Sequence, residues 1–199
     1  MSFRDIKGQD KAINILKAHL RSASLKGAYL FSGQEGIGKF SVALNLAKVL
    51  NCLQEGDDAC DTCSSCLKIN KGQHPDLSII DCDTPIIFGP DTGKAEDRDS
   101  NKIKIGHIRQ LQKQISYKPY EGRRKVFIID EAHNLTPDAA HAFLKTLEES
   151  PADSLICLVS SRPNILLKTI LSRCKTIRFY PLPRKRLQEV LSWDFSAGD

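Results

Sequence analysis

No apolar run in these 199 residues approaches the ~20 that a membrane-spanning helix needs. The stretch from Met1 to Asp10 mixes charged and polar groups and lacks the apolar centre of a secretory signal. A cytoplasmic protein with no membrane partner is the expectation. Such a compartment keeps thiols reduced, so the seven cysteines point to metal binding or buried thiols rather than disulfides. Acidic residues are missing from one stretch: Arg162 to Arg186 holds eight basic side chains and no Asp or Glu. Two readings stand for that run, a face for the phosphates of DNA or nucleotide and a merely solvated basic face. The length excludes a small disulfide-dependent scaffold and allows one full-sized domain with the beginning of a second.

The apolar pattern alternates between two periods. Ile13, Leu16 and Leu20 fall at helical spacing within Asp10 to Leu20, and Ala28 to Phe31 forms a short apolar run suited to a buried strand. Lys39 to Leu50 turns helical again. Leu77 to Asp81 reads as a strand, residues 83 to 102 as a mobile surface insertion, and Ile105, Ile108, Leu111 and Ile115 as one side of a helix. Strand Lys125–Asp130, helix Thr136–Glu149, strand Leu155–Ser160, helix Pro163–Leu171 and strand Thr176–Phe179 complete the order. Apolar strands between amphipathic helices predict an α/β fold, a parallel sheet with helices on both faces, whose ligands sit at the carboxyl ends of the strands. One nucleotide-binding domain is expected over 1–180, with 181–199 as the start of a truncated second domain.

What is missing at position 40 matters most. Gly33-Gln-Glu-Gly36-Ile-Gly38-Lys39-Phe40 matches a phosphate-binding loop until its last residue, where Ser or Thr would hold magnesium. Glycines 33, 36 and 38 let backbone N–H groups turn inward, and Lys39 would neutralise the outer phosphates of ATP or ADP. Phe40 supplies no oxygen. Ser41 is expected not to replace it, since one helical step rotates a side chain by about 100°. The second half of the site is Val126-Phe-Ile-Ile-Asp130-Glu131-Ala-His133. Here Asp130 can hold magnesium and Glu131 can polarise an attacking water. Nucleotide binding is expected to survive the loss of the hydroxyl, and efficient hydrolysis is not.

Cys52-x7-Cys60-x2-Cys63-x2-Cys66 brings four thiolates within fifteen residues, enough for one closed tetrahedral zinc. An iron–sulfur cluster and free thiols are the alternatives, the former without the Cys-Pro that often closes such a site. Zinc is expected to be architectural. Cys82, Cys157 and Cys174 are read as buried small residues in or beside strands.

Taken in order, the phosphate loop, the four-cysteine module, "VFIIDEAH", "AFLKTLEESP" and "SRC" resemble the first domain of bacterial DNA polymerase III clamp-loader subunits, which are AAA+ proteins. The resemblance spans nearly the whole chain. It implies partners: other clamp-loader subunits of the gamma/tau and delta kinds, a sliding clamp, and primed DNA reached through the complex. It also implies that Arg173, in Ser172-Arg173-Cys174, reaches into a neighbouring subunit's ATP site, and that Ser160 or Ser161 lies where a polar sensor of the γ-phosphate sits. Gly8-Gln9 resembles the family's N-terminal helix start, near the adenine. The altered loop resembles delta-prime subunits. The alternatives are an active ATPase of the gamma/tau kind and an unrelated phosphate-loop protein such as a kinase.

Overall fold

The computed structural model describes residues 1–85 and 101–181. Most of the expected insertion and the short helix expected beyond Pro181, with Leu187, Val190 and Leu191, lie outside the described residues. Five strands form one sheet: β1 (Gly27–Ser32), β2 (Leu77–Ile80), β3 (Lys125–Ile129), β4 (Ser154–Ser160) and β5 (Cys174–Arg178). Their order is β2-β3-β4-β1-β5. Every pairing is parallel, so each connection must cross back over a face, which helices do. These are α1 (Asp10–Arg21), α2 (Lys39–Asn51), α3 (Ser64–Asn70), α4 (Ile105–Ile115), α5 (Pro137–Glu148) and α6 (Lys168–Leu171).

Side chains alternate across a strand, and here the alternation divides the interior into two cores. Tyr29, Phe31, Val126, Ile128, Leu155, Cys157 and Val159 point to the side covered by α1 and α2. Ala28, Leu30, Phe127, Ile129, Ile156 and Leu158 point to the opposite side, under α4, α5 and α6. The central strand β4 is buried at all seven positions. That explains why its sequence reads as nearly continuous apolar residues rather than as alternation. Helix α5 starts as its sequence requires, with the Thr136 hydroxyl accepting from the Ala139 N–H at 3.3 Å and Pro137 in the first turn.

Two elements differ from the expectation. The stretch from Pro163 to Leu171 is not one helix; a 3-10 turn at Pro163–Ile165 and the short α6 are separated by extended backbone at Leu166 and Leu167. Leu166 and Ile170 still reach the same core, so their spacing is met without continuous helix. Helix α3 is an addition. It opens inside the cysteine module, where the Cys63 sulfur accepts from the Cys66 N–H at 3.5 Å. Of the three outlying cysteines, Cys157 is fully buried, whereas Cys82 and Cys174 are half-buried.

At the amino ends of the strands, the buried Asp76 carboxylate accepts the N–H groups of Tyr120, Glu121 and Gly122 at 2.7, 2.9 and 2.7 Å. Burial alone would raise the Asp76 pKa; the three backbone donors outweigh it and hold the group below its ordinary value. Because the folded pKa is depressed, the stabilisation is full above the ordinary Asp value and disappears as pH falls through the lower folded value. Asp76→Ala is expected to cost about 2–3 kcal/mol in denaturant unfolding near neutral pH, with the difference from the parent narrowing in acid.

Candidate nucleotide site and thiolate cluster

Strand β1 ends at Ser32 and α2 begins at Lys39, leaving a six-residue turn at the carboxyl edge of the sheet. Gly33 sits where nothing larger fits: its N–H donates to the Ser160 carbonyl at 3.3 Å, and a Cβ there would lie 2.6 Å from the Phe179 carbonyl oxygen. Gly38 caps α2 in a left-handed conformation, with φ of 87°, which a residue with a Cβ adopts reluctantly. Lys39 is buried, and its ammonium donates to the Gln34 carbonyl. A cavity of about 320 Å³ opens above the loop. Gly36, Gly38, Lys39 and Phe40 border it from the loop, Asp130 and Glu131 from the end of β3, and Ser161 from beyond β4. These predicted residues, drawn from three separate stretches, converge on one site; Gly33 acts behind it.

Burial sets the electrostatics of the cavity's charged groups. Burial raises the Asp130 pKa, with the nearby Glu131 and Asp81 charges adding to it and Lys39 opposing. Burial likewise lowers the Lys39 pKa against the pull of Asp130 and Glu35. A phosphate and a divalent cation placed here would stabilise the charged forms of both. Glu131 adopts φ 46° and ψ 44°, left-handed for a residue with a side chain. Its carboxylate accepts from the Asn134 amide at 3.0 Å. Phe40 brings only carbon to the cavity and packs on the core beside the loop's Ile37.

Glu35, Ser41 and His133 also border the cavity. Ser41 is thus less completely turned away than one helical step implies. The Ser160 hydroxyl accepts from the Arg162 N–H at 3.2 Å and lies 3.3 Å from His133 Nδ1, so it can donate to a neutral imidazole. Burial, and then the Arg162 charge, lower the His133 pKa accordingly. Ser160 is therefore engaged inside, and of these two adjacent serines it is Ser161 that borders the cavity. His133 stood within the quoted motif but without a role, because its link to Ser160 bridges two strand ends. Gln9 reaches the site from outside: its amide nitrogen donates to the Ile37 carbonyl at 3.1 Å and to the Tyr180 carbonyl at 2.9 Å.

The second site is the thiolate cluster. The sulfur atoms of Cys52, Cys60, Cys63 and Cys66 all lie within 4.8 Å of one another, with 4.0 Å between Cys60 and Cys66. A tetrahedral ion with metal–sulfur bonds of ~2.3 Å sets sulfurs about 3.8 Å apart, so the set fits a metal. Backbone N–H groups of Cys63 and Cys66 point at the sulfurs of Cys60 and Cys63 at 3.3 and 3.5 Å, which favours thiolate. Hydrogen bonding from Thr62 leads the causes that bring Cys60 down to about 6, whereas burial pushes the Cys52 and Cys66 thiols up.

Arg173 lies elsewhere. It immediately precedes β5, at the amino edge of the sheet, where its guanidinium donates to Glu148 and to the Thr169 carbonyl. The cavity is at the carboxyl edge, roughly 15 Å away along the strand. The basic run is therefore not one uniform face: Arg173 is paired, and Lys175 donates to the Ser24 carbonyl at 3.1 Å. Arg184, Lys185 and Arg186 lie outside the described residues.

The family described as DNA polymerase III, delta subunit, matches residues 8–183. The chain belongs to this family. It is 35% identical over 183 residues to the DNA polymerase III subunit delta' of Bacillus subtilis, covering 92% of this chain and 51% of that one. It is also 35% identical to the tau subunit of Escherichia coli, covering all of this chain and 29% of that one. The chain thus spans at most about half the length of these relatives. Among solved structures, a DNA polymerase III gamma subunit-related protein of Thermotoga maritima superposes with a TM-score of 0.61 at 24% identity, over 87% of this chain and 47% of that one. A RuvB variant of the same organism gives 0.57 at 14% identity, over 98% and 52%. Both likenesses speak to the fold alone, a parallel α/β sheet covered by helices. Among the described residues no helix is long and apolar enough to cross a membrane.

Because Gly33 packs against a backbone carbonyl that cannot yield as a flexible side chain would, Gly33→Ala is expected to cost about 1–3 kcal/mol. Thermal unfolding of the purified chain checks this; Gly36→Ala, whose Cβ would meet nothing within 4 Å but would sit at φ +74°, shows the backbone cost without the clash.

Proposed function

We propose that this chain is the AAA+ part of a delta-prime-like subunit of the DNA polymerase III clamp loader. With gamma/tau and delta subunits it would help place a sliding clamp on primed DNA during replication. The observation that carries the reading is the division of chemistry between two edges of one sheet. The cavity at the carboxyl edge carries Phe40 where a phosphate loop would place a magnesium-binding hydroxyl, while Arg173 stands at the amino edge, beyond reach of that cavity. An arginine so placed is out of reach of this chain's own cavity, and in trans it would stabilise charge on the phosphoryl group transferring at a neighbouring subunit's site. Similarity to a delta' subunit supports the assignment.

In the chain's own site, Lys39 and the loop N–H groups would hold the phosphates of ATP or ADP. Magnesium would rest on Asp130 with a weakened set of ligands. Glu131 is then a vestigial base and Ser161 a contact to the outer phosphate. Zinc in the four-cysteine cluster would be structural, since four thiolates leave no open position for water. Residues 1–180 would form the nucleotide-binding-type domain. The intact Lys39, Asp130 and Glu131, with equal identity to tau subunits, favour a second reading, an active ATPase of the gamma/tau kind.

The two readings separate in a complex assembled with hydrolysing subunits. Arg173→Ala is expected to lower the ATPase at the neighbouring site by about 10³-fold or more, and Lys39→Ala to leave total turnover nearly unchanged. Loss of turnover with Lys39→Ala or Glu131→Gln, and none with Arg173→Ala, would replace the first reading by the second. Elemental analysis is expected to find one zinc per chain, absent from Cys63→Ser, with a lower melting temperature once the metal is stripped.

A further inference from the structure

We propose that Glu148 is a positioning residue for Arg173, presenting its guanidinium to the neighbouring subunit's nucleotide; this rests on the reading of Arg173 as acting in trans. Nε of Arg173 donates to Glu148 Oε1 at 2.8 Å, Nη2 donates to the same oxygen, and Nη1 donates to the Thr169 carbonyl at 3.0 Å. A guanidinium has five N–H groups in a rigid fork. Among the described residues three are spent, which leaves one on Nη1 and one on Nη2. Those two terminal nitrogens are the pair that grips a phosphate bidentately.

Both partners of Arg173 are mounted on fixed supports. Glu148 is the last residue of α5, which is seated in the core through Phe143 and Leu147, and Thr169 belongs to α6, seated through Ile170. The junction between α6 and β5 that carries Arg173 is thus braced from two helices. Arg173 and Glu148 remain 35% and 50% exposed, so the free end of the fork is accessible to a partner. A docking subunit would exclude water from the pair and strengthen it. The opposite role, Glu148 sequestering Arg173 until assembly, would require both N–H groups of each terminal nitrogen to be occupied, and among the described residues one on each is not.

The test is steady-state ATPase of the complex assembled with hydrolysing subunits, with kcat and KM for ATP measured separately. Glu148→Ala is expected to lower kcat roughly three- to tenfold with KM and assembly unchanged. Glu148→Gln, whose amide oxygen accepts the same bonds, should recover most of the loss. In the Arg173→Ala background Glu148→Ala should add nothing, because its effect passes through the arginine. An unchanged or raised kcat for Glu148→Ala, or a loss that persists without Arg173, overturns the positioning role. If Arg173→Ala itself is silent, the trans reading falls and this role with it; a normal Arg173→Ala defect beside a silent Glu148→Ala sinks only the latter.

Discussion

All five strands run in one direction, and that shared polarity governs where this molecule can carry chemistry. Parallel pairing brings every strand's carboxyl end to one edge, so the turn after β1, the acidic pair after β3 and the serines at the end of β4 meet without being neighbours in sequence. The same polarity sends the residue before β5 to the far edge. A chain built this way carries its loop and acidic pair on one edge and Arg173 on the other. Nothing in the loop or in the arginine alone would have separated those positions.

The cysteine module is more than an appended cluster of four thiols. Its carboxylates hold the beginning of the chain: Asp58 accepts from the Phe3 N–H at 2.8 Å, Asp57 pairs with Lys17 at 3.4 Å and with Arg21, and Asp61 meets the terminal amine at 3.0 Å. Asp61 also satisfies Lys48, a lysine almost entirely buried in α2. A buried ammonium without such a partner would be costly, so α2 and the module depend on each other. Ordering the thiolate cluster therefore also orders the segment that leads to Gln9.

The strands and long helices were legible because burial dictates their residues. β1, β3 and β4 lie between two cores, so their apolar runs could hardly mean anything else, and the nucleotide residues followed from fixed spacing around them. Short elements were hidden. α3 spans seven residues that include a thiolate ligand, and its start is set by the Cys63 sulfur rather than by apolar period. The break at Leu166-Leu167 preserves the helical spacing that suggested continuity. Contacts between distant stretches left no local trace either: Glu148 with Arg173, His133 with Ser160, and Asp76 with the 120–122 turn each join residues that spacing rules cannot connect.

Gln9 ends as the smallest linkage with the widest span. A single amide nitrogen holds two backbone carbonyls, 28 and 171 residues away in sequence. One belongs to the loop that would cradle phosphate and the other to the point where the chain leaves the sheet. Backbone oxygens cannot be moved independently while one donor is shared between them. The phosphate loop and the exit of the chain are thereby geared together, and a displacement at either is transmitted to the other through one side chain.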